Sequence, residues 1–223
     1  MKTYPDIIAA AKAYRMAKVF VFDMDGLIFD TERLFMEQLA VVMAEKGYRL
    51  SREVYVSTLG MGGRRLEQAM LRQYGSDYPF HEMSRRTRER VELVADTVGL
   101  VRKPKILDLL DWLREQGIVC AVASGTHSPS VRKYLEQSGI LPYFSVIVGG
   151  EMTQRSKPAP DLFLLACERC GIEPHQAVVL EDSENGVRAA AAAGIPVICV
   201  PDLRQPGPEV CQMADAVVRE DII

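Results

Sequence analysis

The sequence predicts an α/β fold, with a doubly wound parallel sheet as the core and a helical domain inserted into it. Three observations predict this fold. Short apolar runs alternate with helical patterns over much of the chain. Glycines occur where those helical patterns should end, as at Gly117 and Gly194. The stretch from about 34 to 100, in contrast, contains helical patterns and no apolar strand candidate.

Five continuous apolar runs are typical of strands that are buried on both faces of a sheet. They occupy residues 18–23, 118–124, 145–148, 177–181 and 196–200. The helical patterns between the later runs occupy residues 103–116, 130–138, 161–170 and 186–193. Because strand and helix alternate, the pattern predicts βαβ units, a parallel sheet and helices on both of its faces. The opening segment, 1–16, is predicted to be a short helix before the first strand.

The inserted segment has four helical patterns, at residues 31–46, 51–58, 64–74 and 80–98. The alternation of strand and helix stops at its start and resumes near Arg102. We therefore predict a core domain of residues 1–33 and 101–223 and a helical domain of residues 34–100.

Composition excludes several kinds of partner. The 223 residues carry a net charge of −3, which favours neither nucleic acid nor an anionic membrane surface. No apolar stretch approaches the roughly 20 residues of a membrane span, and the opening segment lacks the features of a secretory signal. The five cysteines form no disulfide pattern, which fits a reducing compartment. A cytoplasmic protein is expected; its oligomeric state is left open.

Polar side chains follow four of the predicted strands or the loops after them. In a parallel sheet, ligands bind beyond the carboxyl ends of the strands, so these side chains are expected to converge. The candidates are Asp23, Asp25, Ser124, Gly125, Thr126, Lys157, Glu181 and Asp182.

The chemistry of this set indicates a site for a phosphoryl group. Crowded carboxylates repel one another unless a cation binds among them, and an oxygen-only ligand set favours Mg²⁺. Lys157, the Ser124 hydroxyl and the backbone near Gly125 supply donors for an anion. Asp23 is then placed to attack phosphorus and form an aspartyl-phosphate. Asp25 is expected to protonate the leaving oxygen and later to accept a proton from water.

Four motifs in this order resemble those of the haloacid dehalogenase superfamily. The first is the run that begins Asp23-Met24-Asp25-Gly26, and the second is Ser124 after an apolar strand. The third is Ser-Lys-Pro at 156–158, and the fourth is Glu-Asp-Ser-Glu-Asn-Gly at 181–186. The resemblance extends from residue 18 to about residue 200 and implies a Rossmann-like core.

The resemblance implies a role for each matching position. Asp23 matches the nucleophile and a metal ligand, and Asp25 matches the general acid and base, with its backbone carbonyl as a second ligand. Ser124 and Lys157 match the groups that hold phosphate. Asp182 matches the acidic metal ligand, while Glu181 is either a ligand or a group behind the ligands.

The helical insert resembles the small cap of the subgroup that contains sugar-phosphate phosphatases and β-phosphoglucomutase. Closure of such a cap would exclude water and contact the leaving group. Gly-Met-Gly-Gly at 60–63 matches a cap loop that faces the site in the family. Arg64 or Arg65, which follow it, either contact an anionic or polar part of the substrate or lie on the solvent face of the next helix.

The predicted function is a Mg²⁺-dependent phosphatase for a small phosphorylated metabolite, with sugar phosphates as the favoured class. A phosphosugar mutase resembling β-phosphoglucomutase is the alternative. Mutases of that kind carry a histidine near the position of Phe35, so this chain favours hydrolysis. A haloacid dehalogenase would need neither Asp25 nor a magnesium cluster. A non-catalytic binding protein with the same fold is the remaining hypothesis.

Overall fold

A parallel sheet forms the centre of the fold in the computed structural model, which describes residues 2–219. Its seven strands are β1 (Lys2–Tyr4), β2 (Val19–Phe22), β3 (Val119–Ala123), β4 (Phe144–Val148), β5 (Ala177–Glu181), β6 (Val197–Cys199) and β7 (Ala216–Val218). Their order across the sheet is β1-β7-β6-β5-β2-β3-β4, and every pairing is parallel. The predicted α/β fold class is therefore confirmed.

Helices connect these strands and also form the inserted segment. Six of them follow or precede strands of the sheet: α1 (Ile7–Ala13), α6 (Ile106–Glu115), α7 (Ser128–Gln137), α8 (Asp161–Arg169), α9 (Glu184–Ala192) and α10 (Pro208–Met213). The other four are consecutive: α2 (Thr31–Ala44), α3 (Arg52–Thr58), α4 (Gly63–Tyr74) and α5 (Phe80–Thr97).

The central strands are apolar because both faces of the sheet are covered. All four residues of β2 are buried. Val19 and Val21 belong to a cluster that α8, α9 and α10 also contribute to. Phe20 and Phe22 alternate with them and point to the opposite face, where they are fully buried too. Because β2 is packed on both faces, its position is fixed, and so is that of the residues that follow it directly.

The edge formed by β1 and β7 differs from the prediction. The opening segment begins with the strand Lys2–Tyr4, which pairs in parallel with Ala216–Val218, so the prediction of a helix throughout 1–16 is wrong for these residues. The helix Ile7–Ala13 follows it. Three-residue strands are too short to show a periodic pattern, and each of these two is stabilised by pairing with a segment distant in sequence. Met1 and residues 220–223 lie outside the described residues.

The chain divides into two compact units. One contains the residues up to Asp30 and those from Val101 onward, and the other is Thr31–Leu100. The second unit has its own apolar interior, in which Val42, Met43 and Met83 are buried. Its boundary lies three residues before the start of the helical domain predicted at residue 34.

The two chain segments that join the units are tied together inside the first unit. The N–H of Asp30 donates to the carbonyl of Val101 at 2.9 Å, and that of Lys103 donates to Ile28 at 2.8 Å. The Lys103 side chain is buried; it pairs with Asp30 at 3.2 Å and with Asp202. Burying a charge is tolerated only where opposite charges surround it, so this triad fixes the path of both segments.

None of the helices within residues 2–219 combines the length and the apolar character that crossing a membrane requires.

Candidate active site

The carboxyl ends of three adjacent strands bring the predicted side chains to one edge of the sheet. Asp23 follows β2, Ser124 follows β3 and Glu181 is the last residue of β5. Because β2 lies between β3 and β5 and all three are parallel, these residues end the strands at the same level. The N–H of Asp23 donates to Leu180 of β5 at 3.0 Å, which extends the pairing up to the site.

Lys157 joins two of these carboxylates. Its ammonium group donates to Asp23 Oδ1 and, at 2.6 Å, to Glu181 Oε1. It also lies 4.7 Å from the centre of the Phe163 ring. The peptide bond that follows it, to Pro158, is cis. Asp23 and Glu181 are 5% and 1% exposed, so the three charges interact in a place that water hardly reaches.

Burial and charge shift the pKa values of this group. Burial raises the pKa of Asp23 above its ordinary value; Lys157 opposes the shift, while the charges of Glu181 and Asp25 add to it. Burial alone would lower the pKa of Lys157, but the charges of Asp23 and Glu181 outweigh it and raise that pKa. Lys157 is therefore a cation at neutral pH, and further positive charge near Asp23 would favour the ionised form of that carboxyl group.

Asp25 is held by two hydroxyl groups from the loop after β3. Ser124 donates to Asp25 Oδ2 at 3.1 Å and Thr126 donates to the same oxygen at 2.8 Å. The N–H of Thr126 donates in turn to the Ser124 hydroxyl at 3.0 Å. Ser124 thus orients the predicted acid and base, whereas its predicted contact with phosphate stays a prediction.

Both oxygens of Glu181 have partners. One accepts from Lys157, and the other accepts from the N–H and the hydroxyl of Ser183 at 2.7 and 2.9 Å. A Cβ atom on Gly186 would lie 1.8 Å from the Glu181 carboxyl group, so this position admits only glycine without a shift. Glu181 is therefore fixed from three sides and supports Lys157.

Three carboxylates have a geometry that suits a divalent cation. One oxygen from each of Asp23, Glu181 and Asp182 lies within 4.8 Å of the others. Gly26 adopts a positive φ of 82°, and a Cβ there would lie 2.3 Å from Asp182 Oδ2, so the first-motif turn packs directly on Asp182. Hard oxygen donors without nitrogen or sulfur fit Mg²⁺ or a similar cation. The side chain of Asp25 is outside this cluster, and its predicted role as a ligand through the backbone carbonyl stays a prediction.

Gly125, Thr126 and Arg64 were predicted to bind substrate. Gly125 is exposed two residues after the end of β3, next to Thr126, whose hydroxyl donates to Asp25. Arg64 is exposed in the first turn of α4, in the second compact unit. All three roles in substrate binding stay predictions.

A pocket of about 450 Å³ opens beside Lys157 and Gly125. Sequence reasoning missed several residues that line it, among them Glu151 and Thr153. Ser183 also lines the pocket; as its place in the fourth motif predicts, its hydroxyl accepts from the N–H of Gly186 at 3.0 Å and so caps α9. The position of Ser183, three residues before Gly186 at the start of a helical pattern, is the one sequence signal for such a cap.

A comparison with models of protein families shows the family to which the chain belongs. The profile of the haloacid dehalogenase-like hydrolases matches residues 17–194. The chain belongs to this family. Membership confirms the predicted family and the prediction that the chain is a hydrolase, since its relatives include many phosphatases.

Relatives and solved structures agree with that assignment. The chain is 31% identical over 181 residues to a fructose-1-phosphate phosphatase of Escherichia coli. The aligned region covers 81% of this chain and 94% of the relative. The chain is 29% identical over 175 residues to a phosphorylated carbohydrates phosphatase of Thermotoga maritima, covering 78% and 81%. The crystal structure of CbbY from Rhodobacter sphaeroides in complex with phosphate superposes with a TM-score of 0.69 and 30% identity, covering 91% of this chain and 93% of that one.

Proposed function

We propose that this hydrolase is a Mg²⁺-dependent phosphatase that cleaves a small phosphorylated metabolite through an aspartyl-phosphate on Asp23. The observation that carries the proposal is the contact of Asp23 with Lys157, next to Glu181 and Asp182 and at the strand end that also carries Asp25. A sugar phosphate is the favoured substrate class, because the relatives in Escherichia coli and Thermotoga maritima are named as phosphatases of such compounds.

Asp23 is the nucleophile in this proposal. Its carboxylate attacks phosphorus, and the bond from phosphorus to the leaving oxygen breaks as the acyl phosphate forms. Lys157 holds one oxygen of Asp23, which leaves the other to attack. The positive charge of Lys157 also reduces the repulsion between this carboxylate and the incoming phosphate.

Asp25 acts as the general acid in the first step and as the general base in the second. Ser124 and Thr126 both donate to Oδ2, so we assign the transferred proton to Oδ1. That proton goes to the leaving oxygen when the acyl phosphate forms. Asp25 then takes a proton from water as the water attacks phosphorus, and Asp23 is released as a carboxylate.

Asp23, Asp182 and, through its carbonyl, Asp25 would hold the metal ion. Glu181 is better suited to supporting Lys157 and Ser183, since both of its oxygens already accept hydrogen bonds. When bound, a divalent cation supplies charge that stabilises the phosphoryl group during transfer.

Water is the favoured acceptor of the phosphoryl group. By its spacing from the first motif, Phe35 lies near the position at which the resembling mutases carry a histidine, and its ring stacks on Tyr55 with a centroid distance of 6.5 Å. A phenyl ring cannot exchange a proton with a sugar hydroxyl, so nothing at this position assists transfer back to a sugar. With β-glucose 1-phosphate as substrate, phosphate should be released faster than the 6-phosphate forms. The opposite order would make the chain a mutase.

The proposal is tested by turnover of an aryl phosphate with Mg²⁺, with EDTA and with Asp23→Asn. We expect Mg²⁺-dependent release of phosphate, its loss in EDTA, and a decrease of at least about a thousandfold in the variant. Asp108→Asn is the matched control, because Asp108 is an exposed carboxylate in the first turn of α6. Turnover by Asp23→Asn at the wild-type rate would refute the proposed nucleophile.

A further inference from the structure

The pocket beside Lys157 is lined by several polar side chains, and few of its lining residues can carry positive charge. Thr153 and Ser156 contribute hydroxyl groups and Asn185 contributes an amide, whereas the Ser183 hydroxyl is already engaged by Glu181 and Gly186. Hydroxyl and amide groups donate and accept hydrogen bonds in the way that sugar hydroxyls require. The pocket adjoins Lys157 and Gly125, so a substrate whose phosphate lies at Asp23 can place its leaving group there.

A carboxylate of the protein occupies the helix end that faces this pocket. Both oxygens of Glu151 accept from the N–H of Ser128, at 3.1 and 3.0 Å, and one also accepts from its hydroxyl. Ser128 is the first residue of α7, a helix of 10 residues. The N-terminus of a helix attracts anions, and here Glu151 takes the position that a phosphate would otherwise use.

The backbone around Glu151 is built to keep it there. A Cβ on Gly149 would lie 2.3 Å from the nitrogen of Ser128, and one on Gly150 would lie 2.2 Å from the carbonyl oxygen of Gly125. Gly150 N–H also donates to Thr126 at 3.1 Å. The two loops are therefore closely packed, which brings Glu151 within hydrogen-bonding distance of Ser128.

The charge balance of the pocket disfavours a second anion. Hydrogen bonds from Ser128, with a smaller contribution from His127, hold the pKa of Glu151 below its usual value, so it is ionised at neutral pH. The two basic residues among the described ones that line the pocket are Lys157 and His127. Lys157 is engaged with Asp23 and Glu181, and His127 is close enough to Glu151 to interact with its charge.

We infer that this pocket takes an uncharged, hydroxyl-rich leaving group, and that Glu151 rejects substrates with a second phosphate. The inference rests on the proposed phosphatase function and adds a substrate class to it: sugar monophosphates rather than bisphosphates. Glu151 acts by repulsion and by blocking the Ser128 N–H, which is how a site excludes a close analogue of its substrate.

The test compares fructose 1-phosphate with fructose 1,6-bisphosphate, which differ by a single phosphate. Wild type should show the higher kcat/KM for the monophosphate. Glu151→Gln removes the charge, and Glu151→Ala also frees the Ser128 N–H. Each should reduce the preference by about tenfold, with Glu151→Ala giving the larger effect, because a unit charge a few ångströms away contributes on that scale. Glu136→Gln, an exposed charge on the same helix, should leave the preference unchanged.

Turnover of an aryl phosphate separates this inference from the proposed function. If all variants cleave the aryl phosphate but wild type does not prefer the monophosphate, or the Glu151 variants retain the full preference, the inference is wrong and the phosphatase proposal stands. If wild type cleaves no phosphate ester, the proposed function fails first. Thermal denaturation identifies a variant that has lost its fold, and Glu151→Gln, which keeps an acceptor for Ser128, then decides the outcome.

Discussion

Glycine at position 186 shows how closely the backbone approaches the charged groups of the site. The first turn of α9 passes so near Glu181 that a methyl group on Gly186 would overlap its carboxyl group. Glu181 in turn holds Lys157 and Ser183. Glycine is therefore required at position 186 for Glu181 to keep its place, and through Glu181 it also sets the position of Lys157.

Replacing Gly186 with alanine should displace Glu181 and weaken its hold on Lys157. We expect a lower kcat for aryl phosphate and a loss of about 1–3 kcal/mol in the free energy of unfolding, since the added methyl group overpacks a buried site. Kinetics and urea denaturation measure the two effects. Gly207→Ala is the control, because its methyl group would meet Glu184 at an ordinary 3.5 Å. Equal behaviour of the two variants would contradict this account of Gly186.

The sequence predicted individual residues best where strand ends identify them. Asp23, Ser124 and Glu181 each end an apolar run, so their convergence followed from the rules for parallel sheets. Glu151 was missed, because it acts through a contact that no spacing in the sequence indicates. Glu151 reaches Ser128 across 23 positions of the chain, and only the packing of two glycine-containing loops brings them together.

At the scale of elements, α1 begins with a side-chain cap. Asp6 Oδ1 accepts from the N–H of Ala9 at 2.7 Å. That hydrogen bond, with help from the charge of Lys105, lowers the pKa of Asp6 below its ordinary value despite partial burial. The ionised form is therefore the one that stabilises the helix.

Asp6→Ala should destabilise the protein by about 0.5–2 kcal/mol at pH 7. The pKa of Asp6 is lower in the folded state than in the unfolded chain, so its contribution is complete above the unfolded value of about 4 and is lost as pH falls through the folded value. The difference from wild type should thus shrink in acid. Asp6→Asn keeps an acceptor for Ala9 at every pH and serves as the control. A deficit in Asp6→Ala that persists unchanged in acid would contradict this assignment.

The elements that sequence reasoning missed are those that depend on distant partners. The strands β1 and β7 have three residues each and pair with one another across the whole chain. The long apolar strands such as β5, in which every residue is buried, were recognisable because burial on both faces requires an unbroken apolar run. The strands at this edge of the sheet are therefore stabilised by pairing with distant segments, and a local sequence pattern does not reveal them.

At the scale of the whole molecule, the site exists because the sheet order brings β5, β2 and β3 together. The carboxylates of Asp23 and Asp182 are separated by more than half of the chain, yet with Glu181 they form one cluster. Burial, with the charges of Glu181 and Asp25, raises the pKa of Asp23, although Lys157 opposes the shift. The fold thus holds these charges in a strained arrangement that a cation would relieve.

Binding of Mg²⁺ should therefore release protons and strengthen with pH. Metal binds the ionised form of Asp23, and because the pKa of that group is raised, part of it is protonated on the acidic side and must first lose its proton. Apparent affinity should rise as pH approaches the raised pKa and level off above it. Calorimetry in two buffers of different ionisation enthalpy measures the protons released, and Asp23→Asn should release fewer. Equal affinity and no proton release at every pH would contradict this linkage.

The central claim is that the phosphoryl group passes through Asp23, and mass spectrometry of enzyme quenched in acid during turnover tests it most directly. We predict that the peptide containing Asp23 gains the mass of one phosphoryl group in the presence of Mg²⁺ and substrate. EDTA and Asp23→Asn should each abolish the gain. A modified peptide elsewhere in the chain, or rapid turnover by Asp23→Asn without any adduct, would contradict the account.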